Sequence, residues 1–360
     1  MLQNSKKTKK KYTYKRIYKI NRNFIYKSGS KYKSKYKKQK KFQFLKKIYF
    51  LFLLLFIFFS LNKERKISKI INNKNKIPLS NTKICICTLA KQENLYIREY
   101  LDHYKNYGVN KIYLYDNNDI NGEKIEDVID DYIKSGFVEL ENWRGKIHSL
   151  LPILNECYKK HKDNYDWIMF SEIDELIHLY KNYSTVQSFF DEPKFNNCSV
   201  VYLTLVCHTD NEQLYYENKP LKERFPNTVP SSMKGGQRFE YKFILRGHLN
   251  NIVLNCPHRG MIGISNSCNG FGHFTKYGSI FITDPDSEYY YYEHYYGKST
   301  EEFIKKVMRG DGINLSKEFK MGRIKKYFDE NKLTMEKILM IENRTGFNLS
   351  SYKNKINAQN

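Results

Sequence analysis

The chain has 360 residues, 41% of them hydrophobic, which is enough for one large domain or two small ones. Its formal net charge of +24 is unevenly placed, because residues 1–47 hold 19 of the 62 Lys and Arg residues and no Asp or Glu. The rest of the chain has a net charge of only +5. This distribution argues against a basic nucleic-acid-binding domain, and we expect no nucleic-acid partner. The alternative, nucleic-acid binding by the tail alone, predicts an affinity that falls steeply with salt.

The first part of the chain has the pattern of a single-anchor membrane protein. Residues 1–47 are rich in Lys, Tyr, Ser and Asn without apolar periodicity, so we expect a disordered cytoplasmic tail. Residues 48–61 are uncharged and apolar, which predicts a transmembrane signal anchor, although the run is shorter than the roughly 20 residues of a typical spanning helix. Lys and Arg are denser before this run than after it, which predicts a single-pass type II protein. Residues 62–82 then form a stem, 83–345 the globular domain and 346–360 a C-terminal tail.

This orientation places the globular domain in the lumen of the Golgi or another secretory compartment, if the source is eukaryotic. All seven cysteines follow the apolar run, so disulfides are allowed there, with at least one thiol left over. Cys85 and Cys87 share one face of a buried strand, where we expect small apolar core residues. No CxxC pair occurs, which argues against structural zinc.

The first half of the domain alternates between strand and helix patterns. Strands are predicted at 84–89, 111–116, 137–140 and 166–170, and helices at 93–107, 123–135 and 150–160. This order predicts an α/β fold with a parallel sheet that helices cover on both faces. Neither GxGxxG after the first strand nor GxxxxGK[ST] occurs, which disfavours a dehydrogenase or a P-loop enzyme.

The second half of the domain is less regular. Strands are predicted at 200–206 and 241–245, followed by Gly- and His-rich loops over 247–277. Helices are predicted near 300–308, 317–330 and 334–343; their charges are mixed, and we expect them only to pack on the sheet.

The strand at 166–170 ends in three carboxylates, Glu172, Asp174 and Glu175. In an extended chain Glu172 and Asp174 point to the same side. Because α/β sheets bind their ligands at the carboxyl ends of the strands, these two residues predict a site for a hard divalent cation that bridges a diphosphate. A strand followed by an acidic helix start is the alternative interpretation.

Several motifs occur in an order that is more specific than any one of them. They are residues 90–104, 108–109, 115–119, 137–138, 143–145, 156–158, 167–175, 210–211, 223–225, 242–247, 257–258, 294–295, 298–299 and 309–310. This succession resembles the family 92 glycosyltransferases and their bacterial and viral relatives, which are similar to family 2. The resemblance covers about residues 84–311.

The resemblance implies a GT-A fold, a Rossmann-like nucleotide-sugar-binding sheet flanked by helices, here after one N-terminal transmembrane helix. It also implies a UDP-sugar donor, a Mn²⁺ or Mg²⁺ ion, and inverting transfer of a hexose, in many members galactose, to a glycan or polysaccharide hydroxyl. Two features depart from the family pattern. Glu172 stands where an Asp is usual, and residues 148–153 lack an expected glutamine. They leave open a catalytically silent GT-A protein that binds a nucleotide-sugar or a glycan.

Three residues are the candidate metal ligands. Glu172 and Asp174 would coordinate the ion, and it would stabilise charge on the departing diphosphate. The resemblance makes His294 the third ligand, and His258 is the second choice for that role. The alternative for His294 is an aromatic strip, residues 289–296, that only packs.

Other residues are candidates for nucleotide binding. Asp116 ends the second strand, where its carboxylate could accept from the uracil or the ribose, or could start an Asx turn. Thr88, Lys91 and Glu93 follow the first strand at the same edge of the sheet and would border the base pocket.

The last candidates serve the diphosphate and the acceptor. Arg144 and Lys242 are candidate diphosphate contacts, or else solvated surface residues. A carboxylate near the anomeric carbon should take the acceptor proton, and Asp210 is the first choice, with Glu240 as a substitute. Asp311 is a third possibility, although its Gly-Asp-Gly context is typical of a turn.

Overall fold

The computed structural model describes residues 81–180, 182–228, 241–258, 261–262, 264–275, 289–310 and 316–350. They belong to one unit of the chain, Leu79–Asn360. The predicted tail, anchor and nearly all of the stem lie outside these ranges, as do Glu240 and Asp311. Within the described ranges, no helix has both the length and the apolar character that a membrane span requires.

The first four strands are parallel, as the alternation predicts. They are β1 (Ile84–Ala90), β2 (Lys111–Asp116), β3 (Val138–Asn142) and β4 (Trp167–Phe170). In space they lie in the order β3-β2-β1-β4, with Ile86 of β1 paired to Ile112 on one side and Met169 on the other. Their carboxyl ends therefore meet at one edge of the sheet, where ligands of α/β sheets bind.

The second half of the chain extends this sheet with strands of both directions. These are β5 (Glu175–Leu179), β6 (Val200–Cys207), β7 (Tyr241–Arg246), β10 (Ser267–Asn269) and β11 (Tyr290–His294), while β8 (Val253–Leu254) and β9 (Met261–Ile262) form a separate pair. The order continues β4-β7-β6-β11-β5, with β7 antiparallel to β4 and β5 antiparallel to β11. The sheet is therefore mixed, and it includes three strands, β5, β10 and β11, that the sequence pattern did not predict.

Eight helices are described in these ranges. They are α1 (Ile97–Asn106), α2 (Glu126–Lys134), α3 (Leu150–His161), α4 (Val186–Phe190), α5 (Leu221–Arg224), α6 (Thr300–Arg309), α7 (Lys317–Glu330) and α8 (Met335–Thr345), with a 3₁₀ turn at Pro193–Phe195. Apolar residues of α1 and α2 join the core on one face of the sheet, and those of α3 join the core on the other. The helices thus cover both faces, as expected.

Strand β1 shows how the chain builds two cores from one strand. Ile84 and Ile86 belong to the core under α1, whereas Cys85 and Cys87 belong to the core under α3, because successive strand residues point to opposite faces. Cys85 is a buried free thiol, as expected for a core residue. Cys87 forms a disulfide with Cys157 of α3, so our expectation of a simple apolar core residue was wrong for it. A second disulfide joins Cys198 and Cys268.

The last three helices build a third core of their own. Phe303 of α6, Ile324 of α7 and Ile341 of α8 are buried together, away from the two cores of the sheet. Helix α6 begins with a capping box, in which Ser299 and Glu302 exchange side-chain and backbone hydrogen bonds. This framework fixes the position of the other face of α6, which carries charged residues.

Gly247, directly after β7, lies where the chain passes close to neighbouring backbone. A Cβ atom there would be 1.8 Å from the carbonyl oxygen of Tyr165. We expect Gly247→Ala to lower the free energy of unfolding by at least about 2 kcal/mol, since a backbone atom cannot move aside cheaply. Urea unfolding of the full chain, followed by circular dichroism, measures this change. The matched control is Gly322→Ala in α7, where a Cβ meets nothing within 4 Å and alanine should stabilise the helix by about 0.5–1 kcal/mol. Wild-type stability of Gly247→Ala would contradict the prediction.

His103 of α1 makes the fold sensitive to acid. Its Nε2 lies 3.0 Å from the carbonyl oxygen of Ile177 in β5, and burial lowers its pKa from 6.5 to about 4. Between these two values the unfolded chain binds a proton that the folded chain does not, so this contribution to stability is lost as pH falls from 6.5 towards 4.

Between pH 7 and pH 5 we therefore expect His103→Gln to lose about 1–2 kcal/mol less unfolding free energy than the wild type does. The glutamine amide keeps a donor for the Ile177 carbonyl. Urea unfolding at both pH values gives the difference. His273→Gln, at an exposed histidine, is the control and should leave the slope unchanged. An unchanged slope in His103→Gln would show that the buried ring does not carry this effect.

Candidate functional site

The strand arrangement brings distant residues to the end of β4. The turn 171–174 leaves β4 and reverses into β5, which starts at Glu175. Strand β7 runs antiparallel to β4, so its first residues, including Lys242, lie beside this turn. Strand β11 pairs with β5 so that His294 stands opposite Glu175. Three strands from separate parts of the sequence therefore meet at one point.

A cavity of about 340 Å³ opens at this edge of the sheet. Five of the residues predicted from the sequence line it: Lys91, Glu93, Glu172, Asp174 and His294. His258, the second choice for the metal-binding histidine, also lines it. The structure thus gathers the residues after β1, the residues after β4 and the end of β11 around one space. Their roles as metal ligands or nucleotide contacts stay predictions.

The cavity has a positive balance of charge. Its lining contains the cations Lys91, Lys146, Lys306, Arg309 and Arg323 and the carboxylates Glu93, Glu172 and Asp174. Five permanent cations against three carboxylates favour an anionic ligand, and a low-dielectric wall strengthens that preference.

Asp174 is the most buried of the cavity carboxylates, with its side chain 3% exposed. Its Oδ2 accepts a hydrogen bond from the Lys306 ammonium of α6, and His294 Nε2 lies 3.9 Å from the same oxygen. Burial alone would raise the pKa of Asp174, but Lys306 and Lys298 outweigh it and hold the pKa far below its ordinary range. Burial lowers the pKa of His294 to about 3, so its ring is neutral at physiological pH and keeps a lone pair for a ligand.

Glu172 and Glu175 share one lysine. Lys242 is buried, and its Nζ lies 2.8 Å from Glu172 Oε1 and 3.0 Å from Glu175 Oε2. The lysine lowers the pKa of Glu172 to about 2. Desolvation raises the pKa of the fully buried Glu175 to about 8, since one ammonium cannot neutralise two carboxylates. Lys242 therefore holds the end of β4 together from within, and the role of diphosphate contact stays a prediction for it.

Glu93 ties the loop after β1 to the last part of the site. Its Oε1 accepts from Arg309 at 2.7 Å, and its Oε2 lies 3.5 Å from the Lys298 ammonium. Arg309 also donates to the backbone carbonyl of Lys91. The carboxylate that was predicted to border a base pocket thus anchors α6 to the sheet edge.

Asp116 and Arg144 bind each other. Arg144 NH1 donates to Asp116 Oδ2 at 2.7 Å, and Asp116 Oδ1 accepts from the backbone N–H of Asn118, as in an Asx turn. The same guanidinium donates to several backbone carbonyls in the loop 119–123. Both residues stabilise the loop after β2 in this arrangement, and their predicted roles in nucleotide binding stay predictions.

The structure does not bring the predicted base to this cavity. Asp210 lines another cavity, of about 700 Å³, together with residues of α7 and α8, and it accepts a hydrogen bond from Tyr327 at 2.8 Å. Thr88 lies in a small pocket beside the site, shared with Glu172 and Lys242. The other two candidate bases, Glu240 and Asp311, are outside the described ranges.

The donor atoms of the site have the chemistry of a divalent-cation site. Asp174 offers a charged carboxylate, His294 a neutral ring and Glu172 a second carboxylate that is 39% exposed. They are not arranged as a complete set of metal ligands, because each of the two carboxylates forms an ion pair with a lysine. Accordingly, among the residues that the structure describes, no three His, Cys, Asp or Glu side chains are grouped as a metal site.

The sequence interpretation missed several residues of the site, among them Lys306 and Arg309. We expected α6 only to pack, but its charged face lines the cavity and binds Asp174 and Glu93. The available signal was the spacing of the two cations, three residues apart and therefore on one face of a helix whose other face is apolar.

Part of the chain, including the end of β4, matches a known protein family. Residues 80–255 match the model of glycosyltransferase family 92. The match confirms the family resemblance, and the enzyme class that it supports is a glycosyltransferase. It contains the end of β4 and Lys242 but stops before β11 and α6. The placement of His294 and Lys306 at the site therefore stands on the structure alone.

Two curated plant proteins are similar to part of the chain. A family 92 glycosyltransferase protein of Oryza sativa subsp. japonica is 25% identical over 96 residues, which are 27% of this chain and 16% of that protein. One of Ricinus communis is 24% identical over 134 residues, which are 35% of this chain and 22% of that protein. The chain thus spans less than a quarter of the length of these relatives.

Solved structures with similar parts come from bacterial and archaeal enzymes. The S. aureus TarS 1–349 structure aligns with 67% of this chain and 68% of its own, at 12% identity and a TM-score of 0.33. The Pyrobaculum calidifontis mannosyltransferase PcManGT, solved with GDP-Man and Mn²⁺, aligns with 35% of this chain and 36% of its own, at 10% identity and a TM-score of 0.27. A TM-score below 0.5 does not establish a shared overall fold.

The shared lysine of the site gives a stability prediction. We expect Lys242→Met to lower the free energy of unfolding by about 3 kcal/mol, because it leaves two carboxylates without their buried partner. The loss should be larger at pH 8.5 than at pH 6, since Glu175, with a pKa of about 8, can take up a proton at the lower pH. Urea unfolding of the full chain at both pH values is the measurement.

The double variant Lys242→Met/Glu175→Gln provides the control. It removes the buried acid along with its partner and should recover most of the lost stability. A double variant that is no more stable than Lys242→Met would contradict the assignment of the shared pair.

Proposed function

We propose that the chain is a GT-A glycosyltransferase that moves a hexose, with galactose favoured, from a UDP-sugar to a hydroxyl of a glycan or polysaccharide. The observation that carries the proposal is the cavity at the carboxyl edge of the sheet. The cavity lies beside the end of β4, and this strand end is inside the family 92 match. The cavity wall combines three carboxylates with five cations. A nucleoside diphosphate is an anion that such a wall suits.

The side chains of the cavity divide into two sets that serve this reaction. Lys91 and Lys146 line it as cations that can neutralise the diphosphate as the sugar departs. Tyr296 and Phe319, each 37% exposed, add partly exposed aromatic surface against which a sugar can lie. The cavity therefore has a charged part for the leaving group and an apolar part for the sugar.

We infer that the transfer depends on Mn²⁺ or Mg²⁺ and inverts the anomeric centre. Asp174 and His294, with Glu172 beside them, are the residues that would hold the ion, whose chemistry is to neutralise charge on the diphosphate. Inversion needs a carboxylate that takes the acceptor proton, and Asp210 and Glu240 remain the sequence candidates for it.

We further propose a single-pass type II membrane protein, anchored through residues 48–61, with the catalytic domain in the Golgi or another secretory lumen. The support is the apolar run with its denser Lys and Arg on the N-terminal side. The two disulfides of the domain fit such an oxidising compartment.

Release of UDP by the full chain tests the activity. UDP-galactose, UDP-glucose and other donors are supplied with and without Mn²⁺, and release should occur with at least one donor and fall when the metal is chelated. Asp174→Asn should lower kcat/KM by at least about 100-fold, because it removes the carboxylate that would hold the divalent ion. Asp163→Asn, at an exposed aspartate paired with Lys162, is the matched control and should keep wild-type rates.

The second candidate is a catalytically silent protein that binds a nucleotide-sugar or a glycan. The pairing of Glu172 and Asp174 with lysines favours it, since both carboxylates among the three predicted metal ligands already have cationic partners. UDP binding without turnover of any donor would establish this alternative. No binding of any nucleotide or glycan would exclude both.

A further inference from the structure

Lys306 occupies the oxygen that a divalent cation would need. Its ammonium is hydrogen-bonded to Asp174 Oδ2, the same oxygen that lies 3.9 Å from His294 Nε2. Asp174 is buried, so this ammonium lies against it inside the site rather than at the protein surface. A metal ion that Asp174 Oδ2 and His294 would hold would compete with the Lys306 ammonium for this oxygen.

The carboxylates of the site are balanced by internal cations before any ligand arrives. Lys242 binds Glu172 at 2.8 Å, and Lys306 binds Asp174. Like charges a few ångströms apart repel each other strongly where the dielectric constant is low, and a divalent cation doubles the repulsion that a monovalent one would meet. A divalent cation entering alone would therefore meet strong repulsion from Lys306, so one of the two cations must leave Asp174.

Lys306 has a position to which it can move. It lines the cavity together with Lys91 and Arg309, and its side chain is 18% exposed towards that space. Lysine is a point charge on a flexible four-carbon stem, so its ammonium can exchange a carboxylate for a phosphate oxygen without movement of the helix. The capping box at Ser299 and the buried Phe303 hold α6 in place meanwhile.

We propose that Lys306 couples the binding of the divalent cation to the binding of the donor diphosphate. In the free protein its ammonium closes the metal site by pairing with Asp174. A bound diphosphate accepts the ammonium, frees Asp174, and brings the negative charge that a divalent cation requires. Lys306 is thus a positioning residue that keeps the site closed to free metal ions, and this inference rests on the proposed function.

The coupling has a thermodynamic signature that can be measured without turnover. If UDP raises the affinity for Mn²⁺ by some factor, Mn²⁺ must raise the affinity for UDP by the same factor. Removal of Lys306 should raise the affinity for Mn²⁺ in the absence of UDP and reduce that factor. A side chain with a merely structural role would change neither.

Titration of the full chain with Mn²⁺, with free Mn²⁺ followed by electron paramagnetic resonance, tests this inference with and without saturating UDP. A protein-free titration corrects for the Mn²⁺–UDP complex. We expect saturating UDP to tighten Mn²⁺ binding by about 10-fold to 100-fold in the wild type, the usual range for coupled sites. Lys306→Met should bind Mn²⁺ at least about 10-fold more tightly than the wild type without UDP, with the coupling reduced to a few-fold.

Two variants make the result specific. Lys305→Met removes the preceding lysine of α6, which is half exposed and pairs with Glu301, and it should behave as the wild type. Lys306→Arg keeps the charge, so it should keep the weak binding of Mn²⁺ in the absence of UDP. Circular dichroism shows whether Lys306→Met folds. If it folds poorly, Lys306→Gln replaces it in the same titration.

Three outcomes overturn the inference, and they differ in what they say about the proposed function. If Lys306→Met binds Mn²⁺ no more tightly than the wild type while both bind UDP, the inference fails and the donor site stands. If the coupling factor of Lys306→Met equals that of the wild type, the same conclusion holds. If the wild type binds no UDP at any Mn²⁺ concentration, the proposed function fails together with the inference.

Discussion

The pairing of carboxylates with lysines at the end of β4 is the interaction on which the site depends. Glu172, Asp174 and Glu175 follow one another within four residues, and removing such charges from water costs several kcal/mol each unless they find partners. Lys242 of β7 and Lys306 of α6 supply these partners from positions 70 and 132 residues away in the sequence. The acidic turn therefore stabilises the fold only when β7 and α6 have both reached it.

The same pairing explains why the sheet and the last helices form one functional edge. Strand β7 must run antiparallel to β4 for its first residues to lie beside the acidic turn, and β11 must pair with β5 for His294 to face Glu175. Helix α6 is then tied to the edge twice, through Lys306 with Asp174 and through Arg309 with Glu93. A charged cavity results where the strand ends and this helix meet.

The strands of this edge that depend on short-range sequence patterns could be predicted. Apolar strands alternating with amphipathic helices predict β1 to β4 and their parallel order, so the positions of Glu93 and Asp174 at one edge follow from where the strands end. The spacing of Lys306 and Arg309 places both on one face of α6, but a lysine on an amphipathic helix has the same pattern whether it is solvated or paired. Strand β5 was missed because it starts with an acidic residue, Glu175, whose buried partner, Lys242, lies 67 residues further along the chain. The position of Asp210 in another cavity likewise depends on how α7 and α8 pack.

The proposed function requires that a nucleoside diphosphate and a divalent cation meet at Asp174. Anomalous diffraction at the manganese absorption edge, from crystals of the chain grown with UDP and Mn²⁺, measures this directly. We expect one strong anomalous peak beside Asp174 and His294, with the diphosphate in the cavity between β4 and α6 and Lys306 turned towards it. A manganese peak elsewhere, or UDP bound in the cavity of Asp210, would contradict it.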